Sequence, residues 1–217
     1  DGTNRDLDGY MGEIRVQNSN VFSAAPVVGK TDTITVPTST LTSDSDTKLL
    51  IQSGTDGSQT FTDSSSGSHS ITANGHVRWF APKVGTGALF CKSSTSSSYL
   101  ISDSPDFDIG TGDFTLEGYV KFRELDEGNS TQKIIGKWSE SDNKRGWMFR
   151  YENTGTQLTW IDSSNGSSQA NEFTFDWTPT AHTWYFLSVC RSGTDLKVFV
   201  DGTQVGSTET CSTDFYS

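Results

Sequence analysis

Phe114-Thr115-Leu116-Glu117-Gly118-Tyr119-Val120-Lys121-Phe122 alternates with a period of two. In an extended chain Phe114, Leu116, Val120 and Phe122 share one face, while Thr115, Glu117, Tyr119 and Lys121 share the other. The first face predicts a core; the second predicts solvent or a binding surface. Asp195-Leu196-Lys197-Val198-Phe199-Val200 is a second run of this kind. Asp201-Gly202 follows it and precedes Thr203-Gln204-Val205, the strongest hairpin signal in the chain. Asn153-Thr154-Gly155 marks another turn.

Outward from these anchors, short strand patterns recur at Lys48–Gln52, Ser68–Ala73, Val77–Phe80, Ala88–Cys91, Lys133–Trp138, Trp147–Tyr151, Gln157–Ile161, Glu172–Phe175 and Trp184–Arg191. No window carries apolar residues at the i, i+3, i+4, i+7 spacing of a helix. The composition agrees, because 60 Ser and Thr and 21 Gly favour turns and strands, and 25 aromatic residues are too many for a disordered chain. A dozen short strands with almost no helix predict an all-β, two-sheet antiparallel β-sandwich of jelly-roll type.

Charge narrows the partners. With 27 acidic against 16 basic residues the formal charge is −11, and no basic stripe exists to neutralise phosphates, which argues against nucleic acid. No stretch reaches the roughly 18 apolar residues of a membrane span, and no charged leader with an apolar core is visible. Cys91, Cys190 and Cys211 form no CxxC pair and lie near no His that would complete a zinc site. Cys190, inside Trp184-Tyr185-Phe186-Leu187-Ser188-Val189-Cys190, reads as a buried free thiol.

Residues 1–46 read differently. Asp8-Gly9-Tyr10-Met11-Gly12-Glu13-Ile14-Arg15-Val16 predicts one strand within 1–23. Residues 24–46 are mostly Ser, Thr, Pro and small apolar residues and predict a linker, in which Thr33-Ile34-Thr35-Val36 can pair along an edge. The sandwich proper is then 47–217.

Several of these segments stand in a familiar order. Leu49-Leu50, Phe61-Thr62-Asp63-Ser64-Ser65, Gly85-Thr86-Gly87-Ala88-Leu89-Phe90 and Asp106-Phe107-Asp108-Ile109-Gly110-Thr111-Gly112-Asp113-Phe114-Thr115-Leu116-Glu117 come first. Ile134-Ile135-Gly136-Lys137, Gly146-Trp147, Trp184 and Val198-Phe199-Val200-Asp201-Gly202 follow. Over roughly 47–207 the chain resembles the laminin-G-like domain of the concanavalin A-like lectin/glucanase superfamily, of the type found in marine phage appendage proteins. Glu13-Ile14-Arg15 resembles the strand that closes such a domain, with Gly12 where the family usually has Asp. That strand closes either this sandwich or a preceding repeat, and an open edge would need one.

Catalysis finds little purchase in the sequence. Glycosidases need two carboxylates at a defined separation. In Glu124-Leu125-Asp126-Glu127 the first and third share a face but Glu127 falls opposite, and Gly128-Asn129-Ser130 follows as a loop. His69, His76 and His182 sit in turn-like contexts, and no Gly-x-Ser-x-Gly nucleophile stands near a triad. A non-catalytic binding surface is the better expectation. Its candidates are Glu117, Tyr119 and Lys121 on the polar face, Trp138 beside Glu140, and Trp160 beside Asp162 and Asn165, as aromatic platforms with polar neighbours. Asp103, Asp106, Asp108 and Asp113 crowd one loop and are candidate ligands for a structural Ca2+, with Asp56 and Asp63 an equally good local pair. Asn129-Ser130-Thr131 and Asn165-Gly166-Ser167 are glycosylation sequons. The expectation is a lectin-like adhesion module of an extracellular or virion-surface protein. It would bind a glycan or cell-surface polysaccharide, or else contact neighbouring subunits or repeats as a structural unit.

Overall fold

The computed structural model describes residues 7, 9–22, 33–52, 57–75, 77–80, 88–91, 98–125 and 131–217. Asp126, Glu127, Asn129, His76, Asp56 and Gly85-Thr86-Gly87 lie outside the described residues. The strands run β1 (Gly9–Gln17), β2 (Thr47–Ile51), β3 (Ile71–Asn74), β4 (Arg78–Phe80), β5 (Ala88–Cys91), β6 (Ser98–Ile101) and β7 (Phe114–Phe122). They continue with β8 (Thr131–Ser139), β9 (Lys144–Glu152), β10 (Gln157–Gly166), β11 (Asn171–Asp176), β12 (Trp184–Ser192), β13 (Asp195–Val200) and β14 (Thr203–Thr210). No α-helix occurs among the described residues.

Eight strands form the large sheet, in the order β14-β13-β12-β7-β1-β5-β4, with β2 also paired to β1. The small sheet is β11-β10-β9-β8, and β3 with β6 makes a two-stranded ribbon. All these pairings are antiparallel. The N-terminal strand therefore enters the chain's own large sheet, between β7 on one side and β5 and β2 on the other. The two sheets face one another across a single core. Met11, Ile14, Phe114, Leu116, Val120, Phe122, Leu187 and Val189 meet Trp147, Phe149, Tyr151, Leu158, Trp160 and Phe175 there. At its centre Trp160 stacks on Trp147 (centroids 5.8 Å, 3°) and on Phe114 (5.0 Å, 21°).

Turn chemistry fixes the hairpin register. Asp201 (φ 48°) and Gly202 (φ 84°) are both left-handed, the pair a two-residue turn needs to match strand twist. Beyond Val205 the chain continues as β14 to Thr210, and the tail tucks back: Cys211 and Phe215 are core residues, and Tyr216 N–H donates to the Ser163 carbonyl at 2.8 Å. Buried Arg191 ties this tail to the loop before β7, donating to the Thr213 carbonyl at 3.1 Å and to the Gly110 carbonyl at 2.7 Å. Cys91, Cys190 and Cys211 are buried free thiols.

Candidate functional site

Strand pairing lays the outward residues of β12, β7 and β1 in four transverse rows. They are Trp184–Lys121–Tyr10, Phe186–Tyr119–Gly12, Ser188–Glu117–Arg15 and Cys190–Thr115–Gln17. Strict alternation would send Glu13 into the core and Ile14 out. A bulge between Gly12 and Arg15, with Glu13 at φ 45°, reverses this. Ile14 joins the core and Glu13 stands on the outer face beside Arg15. Gly118 permits the approach, since a Cβ there would lie 3.1 Å from the Glu13 carbonyl oxygen.

Three of the four rows are covered. Residues 33–46 cross the outer face as a strap rather than hanging free as a linker. Ile34 N–H donates to the Gly202 carbonyl at 2.7 Å, Tyr119 donates its hydroxyl to the Pro37 carbonyl, and Leu41 N–H donates to Glu13 Oε2 at 2.8 Å. Arg15 Nη1 donates to the Thr42 carbonyl at 3.2 Å and Gln17 Nε2 to Asp44 at 3.0 Å. Ile34 and Val36 pack on Tyr119, Phe186, Cys190 and Phe199 as a second apolar cluster. Glu117 and Tyr119, expected on an open surface, are each only 4% exposed. From Thr115 to Tyr119 the polar face of β7 is therefore an interior face, covered by the strap.

One guanidinium serves two carboxylates beneath the strap. Arg15 Nε donates to Glu117 Oε1 at 2.5 Å, and Glu13 Oε1 and Glu117 Oε2 accept no hydrogen bond from the described residues. Burial pushes the Glu13 carboxyl above its ordinary range, against the opposing Leu41 N–H and Arg15 charge. Burial raises Glu117 as well, against Arg15. A carboxyl raised in the folded state holds its proton more tightly folded than unfolded. Its contribution to stability is therefore present at acid pH and lost as pH rises through the raised folded value. Thermal unfolding should show the melting temperature falling as pH climbs above about 4.3, the ordinary Glu value. In Glu13→Gln, whose amide oxygen still accepts from Leu41, that fall should be about half as steep. An unchanged slope would show that Glu13 does not titrate there.

The hydrogen bonds of the strap stop short of the first row, which stays partly exposed. Tyr10, Lys121 and Trp184 are half-buried, as is Phe80 beside them. Tyr10 meets Phe80 edge-on at 5.6 Å and Trp184 at 6.2 Å. The Lys121 ammonium lies between two rings, 4.1 Å from the Tyr10 centroid and 5.0 Å from that of Trp184. Of the sequence candidates on this face, Lys121 alone remains on the surface. Tyr10, Phe80 and Trp184 were not singled out, although a period of two in β12 separates Tyr185, Leu187 and Val189 from Trp184, Phe186 and Ser188.

The other candidates scatter. Trp160 is 0% exposed and belongs to the core. Asp162, also 0% exposed, accepts from Asn171 Nδ2 at 3.0 Å and from Cys211 Sγ at 3.4 Å; burial, then the Asp162 charge, pushes that thiol up to about 11. Both residues lie inside because β10 points them toward the large sheet. Trp138 is half-buried at the end of β8, with its indole N–H 3.4 Å from Glu140. Asn165 is exposed and accepts from the N–H groups of Ser167 and Ser168, each at 2.9 Å. The outer face of the small sheet offers no such row, since Arg150 pairs with Glu152 and, at 2.9 Å, with Glu172.

The four aspartates point apart rather than converging on a cation. Lys137 Nζ pairs with Asp108 and lies 3.1 Å from Asp103. Asp106 faces His69 at 3.2 Å, and Asp113 accepts from Gly193 N–H at 2.7 Å. An ammonium lies between two of these carboxylates, and the four are not gathered around one point as the oxygens about a Ca2+ are. Asp63 spends its oxygens on the N–H groups of Leu50, Ser65 and His69. Among the described residues no three His, Cys, Asp or Glu side chains are grouped to hold a metal.

Comparison with known proteins bears on the fold. A laminin-G family of the concanavalin A-like lectin/glucanases superfamily matches residues 93–216. Among solved structures, the carbohydrate binding module CBM66 from Bacillus subtilis is similar at 18% identity and a TM-score of 0.41, over 67% of this chain and 82% of that one. No curated protein matches.

Proposed function

The chain belongs to the concanavalin A-like lectin/glucanase superfamily, and on that premise we propose that it is a non-catalytic, lectin-like module that holds carbohydrate on the open end of its large sheet. The observation that carries this reading is the row Trp184–Lys121–Tyr10, with Phe80 at its side. Rigid aromatic rings with an apolar body and a polar tip suit the apolar ring faces and hydroxyl rims of sugars, and they lose little entropy on contact. The other three rows of β12, β7 and β1 are sealed, which leaves this end of the face for the ligand. The same seal disfavours hydrolysis: Glu13 and Glu117, at 0% and 4% exposure, are closed off from a glycosidic bond. The reading places the module on an extracellular or virion surface, where it would attach a larger appendage to a polysaccharide.

Calorimetric titration against a panel of polysaccharides tests this. One or more should bind, and Trp184→Ala or Tyr10→Ala should weaken binding about tenfold or more, equivalent to about 1.4 kcal/mol. Trp138→Ala, at the far end of the small sheet, should leave affinity unchanged. Binding by none of the panel, or loss on Trp138→Ala alone, would overturn the assignment.

A further inference from the structure

We infer that the platform selects acidic sugars, with Lys121 reading a carboxylate or sulfate on the bound residue; this deepens the carbohydrate-binding reading and rests on it. The chain has 27 acidic side chains for 16 basic ones, so cations are readily neutralised within the fold. Arg15 pairs with Glu117, Arg123 with Glu124, Lys137 with Asp103 and Asp108, and Arg150 with Glu152 and Glu172. Lys121 has no carboxylate partner among the described residues, and its contacts are the rings of Tyr10 and Trp184 at 4.1 and 5.0 Å. Lys133, Lys144, Arg145 and Arg191 have no carboxylate partner among the described residues either, but Arg145 and Arg191 spend their donors on backbone carbonyls, and Lys121 alone of these stands between two half-buried rings.

Glu117 lies two positions along the same face of β7, yet its carboxylate is engaged by Arg15. The two rings hold the Lys121 ammonium in place without taking up all of its N–H donors, since an ammonium carries three of them and faces only two rings. A half-buried ammonium with donors to spare and part of its hydration displaced is a site for an anion. Bonds from such a donor to an ionised oxygen are shorter and stronger than those to a sugar hydroxyl. A uronate carboxylate and a sulfate ester offer the same chemistry here. The net charge of −11 repels a polyanion at long range, but charges beyond roughly 8 Å are screened at physiological salt, so the contact is decided locally.

The test is calorimetric titration of the whole chain at physiological salt with three polymers: polygalacturonate for the carboxylate, a carrageenan for the sulfate, and laminarin as the neutral glucan. One acidic polymer should bind at least tenfold more tightly than laminarin, and which one does so names the group. Lys121→Met, which keeps an apolar stem between the rings, should abolish that preference. Lys121→Arg, which keeps the charge and the ring contacts, should retain it. Equal or tighter binding of laminarin, or an acidic preference that survives Lys121→Met, would overturn the inference while leaving the carbohydrate reading intact. Binding of none of the three would overturn the inference, and the wider polysaccharide panel would then decide the carbohydrate reading separately.

Discussion

Replacing Arg15 by Met should destabilise the fold by about 3–5 kcal/mol at neutral pH, the usual penalty for removing one partner of a buried ion pair. Arg15 is the cation for Glu117 and the nearest positive charge to Glu13, and it also donates to the strap at the Thr42 carbonyl. Without it two buried carboxylates lose the charge that opposes their desolvation, and both are pushed further above their ordinary range. The sign then follows. Each carboxyl binds its proton more tightly folded than unfolded, so the variant recovers stability as the solution is acidified and loses it as pH rises. Denaturant unfolding at about pH 4.5 and pH 7.5 should show a clearly smaller deficit on the acid side. An equal deficit at both values would mean that Arg15 acts by packing rather than by charge.

Trp160→Ala is the second large effect, at about 3–5 kcal/mol for deleting a fully buried indole. The side chain has 0% exposure and touches Trp147, Phe114 and Phe215 at centroid distances of 5.8, 5.0 and 5.6 Å. No neighbour can fill the space, because the two sheets are held apart by the other aromatic rings. The loss should register as a lower denaturant midpoint with near-normal far-ultraviolet dichroism, and glycan affinity should be unchanged in the folded fraction. A Trp160→Ala protein of ordinary stability with weakened glycan binding would return this residue to the surface, where its sequence neighbours Asp162 and Asn165 suggested it belonged.

Alternation located the strands because side-chain direction in a strand depends only on neighbours along the chain. Phe114–Phe122 and Asp195–Val200 fall as their pattern predicts, and Asp201-Gly202 forms the expected turn. Ser98–Ile101 was missed because Ser-rich sequence carries no period-two signal. What a period of two does not encode is what lies above each face. Glu117 and Tyr119 were read as surface because they alternate with a core, whereas contacts 82 and 102 residues apart in sequence bury them against Pro37 and Arg15. The strap itself was read as a linker from its Ser and Thr content. Its decisive residues are the sparse apolar ones, Ile34, Val36 and Leu41, which no local pattern marks. Trp184 stands in an apolar run with no polar alternation to mark its face, and only its register opposite Lys121 turns it outward. The acidic loop illustrates the same limit, since Lys137, on another strand, decides where Asp103 and Asp108 turn.

The central claim, that carbohydrate sits on the open row of the large sheet, meets its most direct test in the indole N–H region of a nuclear magnetic resonance titration. The six tryptophans give separate reporters, with Trp79 and Trp160 wholly buried and Trp138 and Trp184 half-buried at different places. On titration with the tightest-binding polysaccharide fragment, the Trp184 resonance should shift in a saturable manner while those of Trp138 and Trp160 stay in place. A saturable shift of Trp138 with Trp184 unmoved would place the ligand elsewhere and contradict the account.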